Sequence, residues 1–172
     1  THDIASMIRH AGIPCEVTDN LARAHWEKLV WNIPFNGLGV ASSAGLENFL
    51  RSSDIVVEKL SPCLTTDKLL SDPRWELLVR ELMLEVIHTA RAKGMNIAES
   101  FVDTLIERTR PMGAYRASTL IDFERGQMLE LDSLFFEPLR QAEQAGAPTP
   151  RLKTLCAVLK AVSELRARQR AS

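Results

Sequence analysis

One lysine and two asparagines recur at four-residue intervals in an otherwise apolar segment of the chain. They are Lys28, Asn32 and Asn36. In a helix, a step of four residues turns about 40° past a full turn and rises about 6 Å, so these side chains form a polar stripe roughly 12 Å long. A stripe of this kind can line a small polar site. An unpartnered buried amide or ammonium costs about 1–3 kcal/mol or more, so the stripe is solvated, internally paired or in contact with a ligand.

A second polar segment follows about ninety residues later, and it contains Ser118, Asp122, Glu130 and Asp132. The order and spacing of the two segments resemble the C-terminal domain of the ketopantoate reductase (2-dehydropantoate 2-reductase) family. In that family a lysine is followed four and eight residues later by asparagines. A serine segment with a nearby aspartate and then a Glu-Ile-Asp sequence come later in its chain. The resemblance covers the sequence from about residue 13 to about residue 162.

The resemblance implies an activity and the residues that perform it. By similarity, Lys28 and Glu130 are catalytic, and Asn32, Asn36 and Ser118 bind the substrate. The implied reaction is the NADPH-dependent reduction of a small 2-oxo acid, such as 2-dehydropantoate, to the 2-hydroxy acid in pantothenate biosynthesis. The substrate would lie in a cleft between two domains, and NADPH would be bound mainly by an N-terminal Rossmann domain that is absent from this chain.

The residue types suit the reduction of a carbonyl group. Hydride transfer to the carbonyl carbon leaves negative charge on the oxygen, and Lys28 would stabilise that charge and donate a proton. Asparagine and serine side chains donate and accept hydrogen bonds without adding charge, which suits recognition of a carboxylate and a hydroxyl. Glu130 would hold a substrate hydroxyl or orient the lysine. Both residues also have a purely structural alternative. Glu130 could be a solvated residue at the start of a helix, and Ser118 could be a helix N-cap.

Some positions depart from the family pattern. Gly37 stands where a proline commonly follows the second asparagine. Pro34 lies within the stripe instead, and it predicts a kink between Asn32 and Asn36 because proline lacks the amide donor and clashes with the preceding turn. Phe136 replaces a glycine six residues after the glutamate. This bulky residue predicts altered helix packing and is compatible with a paralogue acting on another 2-oxo acid.

Composition indicates one ordinary globular domain in a reducing cytoplasm. The chain has 172 residues, 45% apolar and 25% charged, and its net charge of −1 gives no general electrostatic basis for binding nucleic acid or an anionic membrane. The sequence predicts neither a signal peptide nor a membrane span. Three separated cysteines and four histidines without paired ligand spacing argue against a disulfide framework and a metal site. The cysteines are Cys15, Cys63 and Cys156.

Periodicity predicts an all-α fold. One helix begins at Pro73 and closes at Gly94, and another runs from about residue 129 to a stop at Gly146, with a bend or break at Pro138. The last helix starts after Pro150 and ends in a solvated arginine tail. That tail contains Arg166, Arg168 and Arg170. The resemblance implies a compact multi-helix bundle of the 6-phosphogluconate dehydrogenase C-terminal-domain-like type.

The chain is expected to be a single helical C-terminal domain, residues 1–172, that is inactive alone. The lone GxG of residues 37–39 lacks a third glycine and follows a predicted helix instead of a strand, so it does not predict dinucleotide binding. A non-catalytic helical dimerisation or adaptor domain is one alternative, and a paralogous dehydrogenase with another substrate is a second. The long apolar helices would also allow a homodimer.

Overall fold

The computed structural model describes residues 2–15, 17–50 and 55–171. Every regular element within those ranges is helical, which confirms the predicted all-α fold. The α-helices are α1 (His2–His10), α2 (Leu21–Ala41), α3 (Glu47–Leu50), α4 (Thr66–Ser71), α5 (Pro73–Ala92), α6 (Phe101–Thr109), α7 (Ser118–Glu124), α8 (Glu137–Gln144) and α9 (Pro150–Ala171). Short 3-10 turns cover Ser42–Ala44 and Arg110–Met112, and a π-helical segment covers Asp132–Phe136.

Helix α2 is the central element of the core. Its first half has an exposed face, whereas every residue from Ile33 to Ala41 is buried. It packs along α5 and also against α7, α9 and the π-helical segment. A helix that is covered on all sides must be apolar nearly all around, and this second half is apolar except for Asn36. The single buried amide therefore identifies a position where the core meets a polar partner.

The polar stripe lies on one uninterrupted helix. Helix α2 continues through Pro34 from Leu21 to Ala41, so Lys28, Asn32 and Asn36 all project from the same element. The kink expected at Pro34 stays a prediction. The GxG of residues 37–39 was expected to follow a helix, and this expectation was wrong because these residues lie inside α2. A helical interior leaves no free turn of backbone N–H groups for a phosphate.

Gly37 lets two elements approach α2 closely. A Cβ atom at this position would lie 2.6 Å from Leu155 Cδ2 and 2.9 Å from Phe135 Cε1. Both neighbours are fully buried, so neither side chain has free space to move into. The glycine that follows Asn36 is therefore required by the packing of α9 and the π-helical segment against α2.

The helical stretch after Glu130 changes type along its length. The sequence predicted one helix disturbed at Pro138, and the structure has the π-helical turn Asp132–Phe136 before α8, with Pro138 in the first turn of α8. Proline is tolerated there because that amide needs no helical acceptor. Phe136 is half-buried and packs against the core, and Gly146 ends this region with a φ of 67°.

Helices α5 and α9 begin and end largely as predicted. Pro73 occupies the first turn of α5, Gly94 follows its end with a φ of 84°, and α9 starts at Pro150. The predicted arginine tail is exposed at residues 167–170, but two of its arginines also contact other elements. The Arg166 guanidinium lies 4.4 Å from the centroid of the Phe123 ring, and Arg170 donates a hydrogen bond to the carbonyl oxygen of Gly126.

Candidate functional site

Lys28 lies on the exposed part of α2, one helical turn before Asn32. Its side chain is exposed, and no hydrogen bond or ion pair joins it to another residue in the described ranges. It lies at the margin of an open, mostly apolar groove with a volume of about 910 Å³. Other groove residues include His25, Trp26, Lys93 and Gln141. Lys28 is thus available to a ligand and is not committed to the fold.

Asn32 is half-buried and continues the stripe toward the core. Its side-chain amide has no hydrogen-bond partner among the described residues. The step of four residues from Lys28 keeps the two side chains on adjacent turns of one face. A cation and an amide in this arrangement can together contact a small molecule that carries both a carbonyl and a carboxylate.

Asn36 joins the stripe to the serine segment. Its Oδ1 atom accepts a hydrogen bond from the backbone N–H of Thr119 at 3.0 Å and a weaker one from Ser118 Oγ at 3.3 Å. Asn36 is only 3% exposed, so the Thr119 bond is shielded from water. Since a backbone N–H can only donate, the amide oxygen must face Thr119, and the Nδ2 donor points elsewhere.

This contact caps the start of α7. The residue before the helix is Ala117, whose side chain has no acceptor, and it makes no capping bond. The first N–H groups of a helix lack intrahelical partners, and here a side chain from another helix supplies the acceptor. Ser118 is the first residue of α7 and is exposed, so the predicted alternative of a Ser118 N-cap is wrong.

A cluster around Trp31 holds the loop that precedes Ser118. Trp31 Nε1 donates to Thr109 Oγ1 at 2.9 Å, and the indole packs edge-on against the Tyr115 ring with centroids 6.1 Å apart. The same loop is tied to α4, because the backbone N–H of Thr66 donates to the Tyr115 carbonyl oxygen at 3.1 Å. Sequence reasoning missed these contacts, although a tryptophan beside the stripe was a visible signal.

Glu130 is exposed and lies in the non-helical segment between α7 and the π-helical turn. Its carboxylate makes no hydrogen bond or ion pair within the described ranges. The structure therefore brings Asn36 and Ser118 into contact and sets Lys28 and Asn32 on the same helix, whereas no such bond links Glu130 to Lys28. Its neighbour Asp132 pairs instead with Arg140 at 3.1 Å.

A buried carboxylate that the sequence did not assign to any role caps α9. The Glu85 oxygens accept hydrogen bonds from the backbone N–H groups of Arg151 and Leu152, both at 2.8 Å. Burial raises the pKa of Glu85 above its ordinary value, while these two bonds and the Arg151 charge oppose that rise. The role is structural, because the carboxylate is used at a helix N-terminus.

The cysteines and histidines form no cluster within the described residues that could hold a metal ion. Burial raises the pKa of the Cys63 thiol to about 11 and that of the Cys156 thiol to about 12. Such thiols are poor nucleophiles at neutral pH. None of the helices described here combines the length and apolar character needed to cross a bilayer.

The chain is similar in sequence and fold to known reductases. Residues 60–163 match the family described as ketopantoate reductase PanE/ApbA C terminal. A 2-dehydropantoate 2-reductase from Nostoc sp. is 35% identical over 87% of this chain and 41% of its own length. The chain thus spans less than half the length of that relative.

Solved structures show the same similarity. A 2-dehydropantoate 2-reductase from Geobacter metallireducens is 38% identical with a TM-score of 0.78, covering 92% of this chain and 47% of that one. One from Methylococcus capsulatus is 28% identical with a TM-score of 0.81, covering 96% and 47%. The fold is therefore that of the helical domain of these relatives. The chain belongs to the ketopantoate reductase family, to the C-terminal domain of that family.

Proposed function

We propose that this chain is the C-terminal substrate-binding and catalytic domain of an NADPH-dependent reductase. The reaction is the conversion of a 2-oxo acid such as 2-dehydropantoate to the 2-hydroxy acid, in cytoplasmic pantothenate biosynthesis. The observation that carries the proposal is the exposed Lys28, without a side-chain partner in the described ranges, one turn from Asn32 in a chain that belongs to the ketopantoate reductase family.

We assign NADPH mainly to a Rossmann domain outside this chain. The described residues supply no fit for its pyrophosphate, because Gly37 and Gly39 lie inside α2 and every regular element described is helical. NADPH held by that other domain would supply the hydride. The contribution of this chain is then to bind the 2-oxo acid and to stabilise the negative charge that develops on its carbonyl oxygen.

Lys28 acts on the carbonyl oxygen of the substrate. As hydride reaches the carbonyl carbon, negative charge develops on the oxygen, and the Lys28 ammonium stabilises it and donates the proton that completes the hydroxyl. Its position on a long, packed helix fixes the backbone of Lys28, while its exposed side chain can reach a bound substrate. A fixed donor avoids the reorganisation that water would require.

The uncharged polar groups orient the substrate. Asn32 has its whole amide available, and Asn36 offers the Nδ2 donor because its oxygen already accepts from Thr119. Ser118 lies beside Asn36 at the start of α7 and adds a hydroxyl. Together they bind the carboxylate and a hydroxyl of the substrate. Glu130, which has no partner among the described residues, binds the hydroxyl of the substrate or orients Lys28.

The proposal is tested by steady-state kinetics on the full-length protein. NADPH oxidation is followed with 2-dehydropantoate and with a panel of other 2-oxo acids, and Asn32→Ala is compared with the unaltered enzyme. We expect 2-dehydropantoate to be turned over and Asn32→Ala to raise KM by about ten- to a hundredfold, as loss of a bond to a charged group predicts. Turnover of another 2-oxo acid alone would indicate the paralogue. No turnover of any, with NADPH still bound, would overturn the proposal in favour of an adaptor domain.

A further inference from the structure

Two arginines of α9 meet the C-terminal end of α7. The Arg166 guanidinium stacks on Phe123, a residue that is only 4% exposed, at 4.4 Å from the ring centroid. One helical turn further on, Arg170 donates through Nη1 to the carbonyl oxygen of Gly126. The two contacts are made by residues four apart on one helix, so they act on the same short stretch of chain.

Gly126 is the residue at which the chain leaves α7. Its φ is 71°, a left-handed conformation that favours glycine, and a Cβ atom there would lie 3.4 Å from Arg170 Cζ. The backbone N–H of Gly126 donates to Phe123, and that of Gln127 donates to Asp122 at 2.8 Å. These bonds close the end of the helix and set the direction of the chain that follows.

The Gly126 carbonyl oxygen remains for a partner outside the turn, and Arg170 occupies it. A cation near the end of a helix is also favoured by the partial negative charge of the terminal carbonyl groups. Arg166 adds a second positive charge and a cation–π contact with the Phe123 ring. The end of α7 is therefore fixed by a helix that is remote in sequence as well as by its own turn.

The segment that begins at this turn leads to Glu130. Residues 127–130 have no regular structure, and Met128 is 94% exposed. The Glu130 carboxylate has no partner within the described ranges. Glu130 lies between Leu129 and Leu131, which both pack against the core, and the Leu131 N–H donates to the Leu129 carbonyl oxygen at 2.9 Å. The position of this short turn, and of Glu130 within it, depends on the direction in which the preceding glycine turn sends the chain.

We infer that Arg166 and Arg170 are positioning residues for Glu130, holding the Gly126 turn so that the carboxylate faces the substrate of the reductase. This inference rests on the proposed function, because Glu130 must contact the substrate or Lys28 for its position to matter. Neither arginine is assigned any contact with the substrate itself. Their effect passes through the backbone of the Gly126 turn.

A double-mutant cycle on the full-length enzyme tests the inference. The variants are Arg170→Ala, Glu130→Ala and the pair, with Lys160→Ala, an exposed residue of the same helix, as the matched control. We expect Arg170→Ala to lower kcat/KM for 2-dehydropantoate about tenfold, as displacement of a positioned group predicts. In the Glu130→Ala background, the same substitution should change kcat/KM by less than about twofold. Lys160→Ala should leave the kinetics unchanged.

Stability measurements keep the test decisive. Urea unfolding of each variant separates loss of folded protein from loss of positioning, and Arg170→Lys replaces the forked donor with a single ammonium. We expect the lysine variant to recover part of the lost kcat/KM, with little change in unfolding for any variant. An equal loss from Arg170→Ala with and without Glu130 would overturn the inference. If Glu130→Ala and Lys28→Ala both leave turnover intact, the proposed function itself fails.

Discussion

The side-chain oxygen of Asn36 accepts a hydrogen bond from the backbone N–H of Thr119, at 3.0 Å, although the two residues are 83 positions apart. This contact joins the polar stripe on α2 to the start of α7 and sets the orientation of the Asn36 amide. One residue therefore serves both the fold and the candidate site. A substitution can remove the Nδ2 donor and keep the oxygen that accepts from Thr119, so the two roles can be tested separately.

Replacing Asn36 with alanine is expected to destabilise the chain. The Thr119 N–H would lose its acceptor in a buried position, which costs about 1–3 kcal/mol. Asn36→Asp keeps an acceptor oxygen beside the start of α7 and should stay within about 1 kcal/mol of the original at neutral pH. The free energy of unfolding in urea measures both. Equal stability of all three proteins would show that the cap contributes nothing.

The aspartate variant also probes the site. It lacks the Nδ2 donor and brings a negative charge toward the proposed substrate carboxylate, so KM for 2-dehydropantoate should rise by about tenfold or more while the fold persists. Steady-state kinetics of the full-length enzyme measure this. An unchanged KM would remove Asn36 from the substrate site and leave it only the cap.

The two glycines of α2 should respond in opposite ways to alanine. In Gly37→Ala, the new methyl would meet Leu155 at 2.6 Å and Phe135 at 2.9 Å, so we expect a loss of about 1–3 kcal/mol from overpacking. In Gly39→Ala, the nearest atom is the Leu64 carbonyl oxygen at 3.5 Å, an ordinary contact. Alanine is also the better helix former by about 1 kcal/mol, so this control should be neutral or stabilising. The free energy of unfolding in urea is measured for both variants. Equal losses of stability would contradict the packing described for Gly37.

Glu85 should make stability depend on pH. Its folded-state pKa is raised above the ordinary value of 4.5 by burial, so this contribution to stability is fully present below the ordinary pKa and is lost as pH rises through the raised one. The free energy of unfolding of the original chain, relative to that of Glu85→Gln, should therefore be largest at low pH. This difference should fall as pH rises from the ordinary pKa of Glu85 through its raised pKa. Urea unfolding of the two proteins from acid to neutral pH measures the difference. A difference that is constant with pH would show that Glu85 titrates alike in both states.

Two cysteines should resist alkylation in the folded chain. The pKa of Cys63 rises from 9.0 to about 11, which lowers its thiolate fraction near neutral pH by about a hundredfold. Cys156 is shifted in the same direction, to about 12, and is buried. Mass spectrometry after brief iodoacetamide treatment should find both unmodified in buffer and modified in urea. Rapid labelling of Cys63 in the folded chain would contradict the raised pKa.

Local patterns in the sequence predicted the helices and much of the stripe. The apolar period of α5, its start at Pro73 and its end at Gly94 depend only on residues that are neighbours in the sequence. They can therefore be predicted without knowing the tertiary structure. The Lys28 and Asn32 spacing likewise follows from helix geometry alone. The prediction that the GxG of residues 37–39 follows a helix failed, because burial on all sides overrides the weak helix preference of glycine and keeps these residues inside α2.

Local sequence patterns could not predict the contacts between segments that are distant in the sequence. Nothing in the neighbours of Asn36 indicates that its oxygen caps α7, because that bond depends on how α2 and α7 pack. The arginines of α9 resembled a solvated tail for the same reason. Their local sequence is polar, and only the position of Phe123 and Gly126 gives Arg166 and Arg170 a role. Tertiary packing, not propensity, determines these contacts.

The most direct test of the central claim is the turnover number of the full-length Lys28→Ala enzyme with NADPH and 2-dehydropantoate. The matched control is Lys160→Ala, and the fold of each variant is checked by circular dichroism. We expect Lys28→Ala to lower kcat by about a hundred- to ten-thousandfold, the range for a lost general acid, with folding and NADPH binding intact. The control should keep full activity. Unchanged kcat in Lys28→Ala would contradict the account, because the exposed lysine of the stripe would then have no part in the chemistry.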